Sequence, residues 1–138
     1  MGLVWTVTID AGDPKRLAAS WAGALGYIDE EGHDFEDGAS RVDPDGQRPA
    51  VSFLWVPEAK TAKNRCHLDL WPAAGVEDLA ERDAVIRTKV SALVTAGATI
   101  TREASWAGHV EGVVMADPED NEFCVAGSGP GHWSRSAA

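Results

Sequence analysis

Apolar and polar positions along this chain fall into two similar blocks, each opening with a short alternating stretch that leads into an amphipathic one. In the first block Leu3, Trp5, Val7 and Ile9 alternate with Val4, Thr6, Thr8 and Asp10. That period of two is expected of a strand whose two faces differ. Asp13-Pro14 then marks a helix start: the carboxylate accepts from free amides, and proline fits the first turn, where no N–H is needed. Leu17, Ala18, Trp21, Ala24 and Leu25 form one apolar stripe, and Gly26 supplies the left-handed stop. Extended sequence resumes at Tyr27-Ile28. The Gly-, Asp- and Pro-rich stretch 30–49 predicts a hairpin, turning at Asp37-Gly38 or at Asp43-Pro44-Asp45-Gly46, and residues 50–56 read as a strand.

The second block repeats the order. A strand over 65–71 carries His67-Leu68-Asp69-Leu70-Trp71, and a helix is predicted over 77–96 with Leu79, Ile86, Val90, Leu93 and Val94 on its buried face and Gly97 at its end. Strands follow over 99–103, 110–116 and 122–126, the last entered through the turn Asp117-Pro118-Glu119-Asp120-Asn121. From Ser128 the Gly/Ser-rich sequence reads as a loose tail, in which Trp133 is the one residue suited to packing back on the body. A repeated strand–helix–strands unit predicts two modules, about 3–56 and 65–126, within one domain over 1–127, with a binding groove between them.

Bulk properties narrow the function. A chain of 138 residues with 44% hydrophobic and 25% charged residues matches a soluble globular domain. A net charge of −10 and no cluster of Lys or Arg argue against a nucleic-acid partner, whose phosphates would be repelled. No apolar run approaches the roughly 20 residues of a membrane-spanning helix, and the N-terminus has neither a basic region nor a cleavage site. Two cysteines, Cys66 and Cys124, are too few for a disulfide framework, which makes a reducing, cytoplasmic setting the expectation. Cys66 has the opposite strand parity to His67, which disfavours a bond to Cys124.

Three stretches carry a family resemblance: Asp13-Pro14 after the first strand; Val56-Pro57-Glu58 leading through Lys63-Asn64-Arg65 to His67-Leu68-Asp69-Leu70; and the run from Ala116 through Asp117-Pro118-Glu119-Asp120-Asn121 to Val125. Together they resemble the glyoxalase-like domains of the vicinal oxygen chelate superfamily, which includes glyoxalases, bleomycin-resistance proteins and extradiol dioxygenases. The resemblance implies an α+β fold of two βαβββ modules whose mixed sheets curve around a central groove. It also implies a homodimer. In metal-using members one side chain from the first and last strand of each module holds the ion. Matched by their turns, those positions here are Thr6, Phe53, His67 and Cys124. The final turn departs from the family's usual pattern, with Asp120 where glycine is customary.

The implied ligand set is poor. A catalytic divalent ion wants about three good donors, and threonine and phenylalanine are not among them. His67 and Cys124 are weak candidates, with Asp69 or Asp10 as helpers, so no tightly bound metal is expected and a weak divalent ion is the alternative. His67 is equally readable as a histidine hydrogen-bonded across strands, and Cys124 as a small buried strand residue rather than a nucleophile. Asp69 shares a strand face with His67, and Glu122 with Cys124, which makes His67, Asp69 and Glu122 the candidate acid–base residues. Six tryptophans favour a planar ligand. Trp55 goes with Phe53 and Trp71 with His67 by parity, as groove lining or as core. The expected ligand-binding set is Thr6, Thr8, Phe53, Trp55, His67, Trp71 and Cys124. The expected function is binding of an apolar or aromatic small molecule, and the alternative is a lyase or isomerase that uses His67.

Overall fold

A computed structural model describes residues 2–127, so the expected tail from Ser128, with Trp133, lies outside the described residues. The chain divides after Thr61 into two compact units. Each runs strand, helix, three strands. The first has β1 (Val7–Ala11), α1 (Pro14–Leu25), β2 (Ile28–Asp29), β3 (Gly38–Val42) and β4 (Val51–Trp55); the second has β5 (Leu68–Leu70), α2 (Leu79–Thr95), β6 (Thr99–Trp106), β7 (His109–Ala116) and β8 (Glu122–Ala126). Sheet order is β1-β4-β3-β2 in one and β5-β8-β7-β6 in the other, with one parallel pair in each and the rest antiparallel. This is an α+β chain of two βαβββ modules, as its repeated pattern predicts.

Local chemistry explains both helices. Asp13 caps α1 by accepting from Arg16 N at 3.2 Å, and Gly26 closes it at φ 70°. Asp78 caps α2, which starts two residues later than expected, by accepting from Glu81 N at 2.9 Å. The buried stripe of α1 is Leu17, Ala18, Trp21 and Ala24. On α2 only Ile86, Val90 and Leu93 are buried, while Leu79 and Val94, expected with them, are exposed. Val94 follows Leu93 directly and so points about 100° off the stripe, and Leu79 lies in the first turn.

In each unit one sheet face is apolar and closed. Val51 and Phe53 of β4 are buried in the first unit; Val113, Met115, Phe123 and Val125 are buried in the second. Phe53, at 1% exposure, is among the most enclosed side chains of the protein.

The first strands are shorter than the alternation suggested. β1 begins at Val7 because its partner β4 begins at Val51, and the ladder starts with Val7 N donating to Ala50 O at 3.1 Å. Leu3, Val4 and Trp5 precede it and are exposed. β6 is longer than expected, since Ala107 (φ 52°) and Gly108 (φ 79°) make a two-residue hairpin turn into β7. The earlier turn falls at Asp43, whose carboxylate accepts from the amides of Asp45, Gln47 and Arg48. No helix of the described residues is long and apolar enough to cross a membrane.

Candidate functional site

Register decides which side chains share the open face of each sheet. In the second unit Asp69 pairs with Cys124, Cys124 with Val114, and Val114 with Arg102. Paired residues in a ladder project to the same side, so Asp69, Cys124, Val114 and Arg102 form a row across the sheet. The buried residues Phe123, Val125, Val113 and Met115 hold the opposite parity and face the core. His67 sits one residue before β5, and its Nε2 lies 3.9 Å from Glu122 Oε2. Glu122 in turn takes a charged hydrogen bond from Lys63 Nζ at 2.6 Å, and its amide donates to Asn64 Oδ1 at 3.2 Å. The structure thus places His67 beside Glu122 and Asp69 across the ladder from Cys124, on one face of the second sheet. Trp71 lies past the end of β5, where its carbonyl accepts from Ala74 N in a turn.

The first unit repeats this register with other residues. Thr8 pairs with Ser52, and Ser52 with Ser40. Ser52 Oγ donates to Ser40 Oγ at 3.3 Å, and Ser40 Oγ to Glu30 Oε2 at 2.5 Å. The row is Thr8, Ser52, Ser40 and Glu30. Thr6 stands one residue before β1, as His67 stands before β5.

Two expected site residues are therefore misplaced. Phe53 pairs with Ile9, not with Thr8, and is buried on the core face. Trp55 pairs with Ala11 on the same side, 51% exposed at the strand's end. A strand alternates faces at every residue, so matching the modules by their turns with an error of one position moves a side chain through the sheet. The position equivalent to Cys124 is Ser52, because each is the cross-strand partner of the residue two past Thr6 or His67. The signal was present in the sequence: Val51, Phe53 and Trp55 form the apolar parity of that strand, which leaves Ser52 on the other face. Ser40, Glu30 and Arg102 were invisible without pairing.

The electrostatics of the second row are specific. Burial, and then the charge of Asp69, push the Cys124 thiol up, while Arg102 opposes them. A thiol held protonated is a weak nucleophile and a weak metal donor. Cys66 and Cys124 are both free thiols. Gly112 leaves room beside the sulfur, since a Cβ there would come within 3.4 Å of Cys124 Sγ.

A divalent ion fits this donor set poorly. His67 and Glu122 offer two donors, and Glu122 is already engaged by Lys63. Among the described residues no three His, Cys, Asp or Glu side chains converge on a common point.

The sequence profile of the glyoxalase-like domain matches residues 6–126. The chain belongs to the glyoxalase-like domain family. No curated protein matches it in sequence. Solved structures share the fold of this glyoxalase-like chain. A glyoxalase/bleomycin resistance protein/dioxygenase family enzyme from Burkholderia phytofirmans PsJN is 17% identical with a TM-score of 0.66, over 87% of this chain and 94% of that one. A glyoxalase-related enzyme from Fulvimarina pelagi is 16% identical with a TM-score of 0.62, over 94% and 90%. The fosfomycin resistance protein FosX from Listeria monocytogenes, complexed with Mn(II) and a dihydroxypropylphosphonic acid, is 11% identical with a TM-score of 0.63, over 94% and 91%. The chain is thus of the vicinal oxygen chelate fold, which these structures share.

Proposed function

We propose that this glyoxalase-like domain binds a small polar organic molecule on the open face of its second sheet. The observation that carries the reading is the row Asp69–Cys124–Val114–Arg102, with the His67–Glu122 pair at one end. Carboxylates and an imidazole stand at one side, a guanidinium at the other, and a small apolar centre lies between. A ligand that spans the row would place an anionic group by Arg102 and a hydroxyl or amine by Asp69 and Glu122. The loss of Phe53 and Trp55 from the open face turns the expected ligand from aromatic to polar. A small phosphonate held by FosX is a ligand of the same character, which makes phosphonates reasonable probes.

The test is a titration of the isotope-labelled protein with propylphosphonate and benzoate, followed by NMR. Shifts at His67, Asp69 and Cys124 with propylphosphonate, lost in Arg102→Gln, would support the reading. Probes that leave these signals still would overturn it. Mn(II) provides the arm for the second reading, a lyase or isomerase. Stoichiometric Mn(II) with paramagnetic broadening at His67 and Glu122 would favour that enzyme over a binding protein. The proposal includes a homodimer, supported by the exposed apolar residues Leu3, Val4 and Trp5 ahead of β1. Sedimentation at micromolar concentration showing only a 14.6 kDa species would remove it.

A further inference from the structure

A second candidate site lies in the same unit and shares no residue with the row just described. The first turn of α2, the β6–β7 turn and the end of β8 enclose a cavity of about 160 Å³. Leu79, Trp106, Val110 and the backbone of Gly127 provide its apolar wall. Trp106 is 71% exposed and Leu79 41% exposed, so both offer apolar surface that a ligand would cover. Gly127 is required there, since a Cβ would stand 2.6 Å from Val110 O and 2.7 Å from Glu111 O.

The polar part of the wall is organised by Asp83. Its Oδ2 lies 2.7 Å from His109 Nδ1, and its Oδ1 accepts from Val110 N at 3.0 Å. An ionised carboxylate only accepts, so Nδ1 carries a proton, and whenever the ring holds just that one proton its Nε2 presents a lone pair. Among the described residues the His109 ring makes no other hydrogen bond. Arg82 is tied down, with Nε and Nη2 both donating to Val76 O at 3.3 and 3.0 Å. Glu111 also lines the cavity, and with the ionised Asp83 it outweighs Arg82, so the site disfavours an anionic ligand. Its volume is below the roughly 300–1,000 Å³ of pockets for drug-sized ligands, which restricts it to one or two rings.

We propose that this cavity binds a neutral one- or two-ring aromatic molecule bearing a hydroxyl or N–H, which lies against Trp106 and Leu79 and donates to Nε2 of His109. The ring covers apolar surface that is otherwise wet. The donor meets an acceptor already oriented by Asp83, so little ordering is needed on binding.

The experiment is a titration of the labelled full chain with phenol and with anisole, the same ring without the donor, in mildly alkaline buffer. Phenol should shift the Trp106 indole N–H and the His109 signals, and should bind about fivefold more tightly than anisole, the factor supplied by one net hydrogen bond. Trp106→Ala should weaken both ligands; because the side chain is exposed, this variant keeps its fold. His109→Gln should reduce phenol to the anisole level. Equal affinity for phenol and anisole in the unaltered protein would overturn the proposal, as would full binding by Trp106→Ala. So would phenol shifts confined to His67, Asp69 and Cys124, which would place the aromatic ligand at the other site.

Discussion

Asp69 stands directly across the β5–β8 ladder from Cys124, and its negative charge adds to burial in keeping that thiol protonated. The exposed Cys66 provides an internal comparison on the same chain. Iodoacetamide should therefore modify Cys66 first. Asp69→Asn should speed alkylation of Cys124 a few-fold and move its pH–rate midpoint down, whereas Arg102→Gln should move it up. Mass spectrometry of the peptides over time reads both. Faster alkylation of Cys124 than of Cys66 in the unaltered protein would contradict this account.

Phe53 and Ser52 are neighbours in sequence with opposite duties. Phe53→Ala removes a ring that is 1% exposed and should destabilise the fold by about 3–5 kcal/mol. Ser52→Ala removes one hydrogen bond to Ser40 and should cost about 1 kcal/mol. Urea unfolding distinguishes them. Were Phe53 a groove residue, its truncation would leave stability nearly unchanged.

Asp120 adopts φ 67°, a left-handed conformation, in the turn before β8. Asp117 anchors that turn by accepting from the amides of Glu119 and Asn121, both at 2.9 Å. Glycine has no Cβ to strain there. Asp120→Gly should raise stability by about 0.5–1 kcal/mol, part of the gain being offset by the freer unfolded chain. A lower melting temperature for this variant would show that the aspartate side chain has a role beyond the turn.

The Asp83 carboxyl is held below its usual range, first by the hydrogen bond with His109 and then by the amide of Val110. A carboxyl with a lowered folded-state pKa stabilises above its unfolded pKa, near 3.9, and that contribution is lost as pH falls through the folded value. Asp43 and Glu103 are lowered as well, by backbone amides and by Arg87 respectively, so the acid limb has several contributors. Asp83→Asn should flatten the fall of the urea midpoint below about pH 4 without abolishing it. An unchanged slope would mean that the His109 contact has no differential strength.

Much of the fold was legible because local rules and global packing agree. Asp13-Pro14 and Gly26 bracket α1 by capping chemistry alone, and the same order of elements occurs twice. The candidate site was half legible. His67, Asp69, Glu122 and Cys124 could be grouped because their spacing of two fixes their common face within a strand. Arg102 could not be added, since its place beside Val114 depends on a register interrupted by a bulge between Ile100 and Arg102.

The sequence by itself determined where helices start and stop, that two βαβββ modules follow one another, and which residues alternate on each strand. Those properties depend on neighbours a few positions apart. Only the tertiary structure decided which strand lies beside which and in what register, because pairing joins residues distant along the chain and a shift of one position reverses every side chain. For that reason Ser52, not Phe53, shares the open face with Thr8. The cavity beside His109 was out of reach for the same cause: Asp83 comes from a helix, His109 from a strand and Gly127 from the end of another, and only folding sets them side by side.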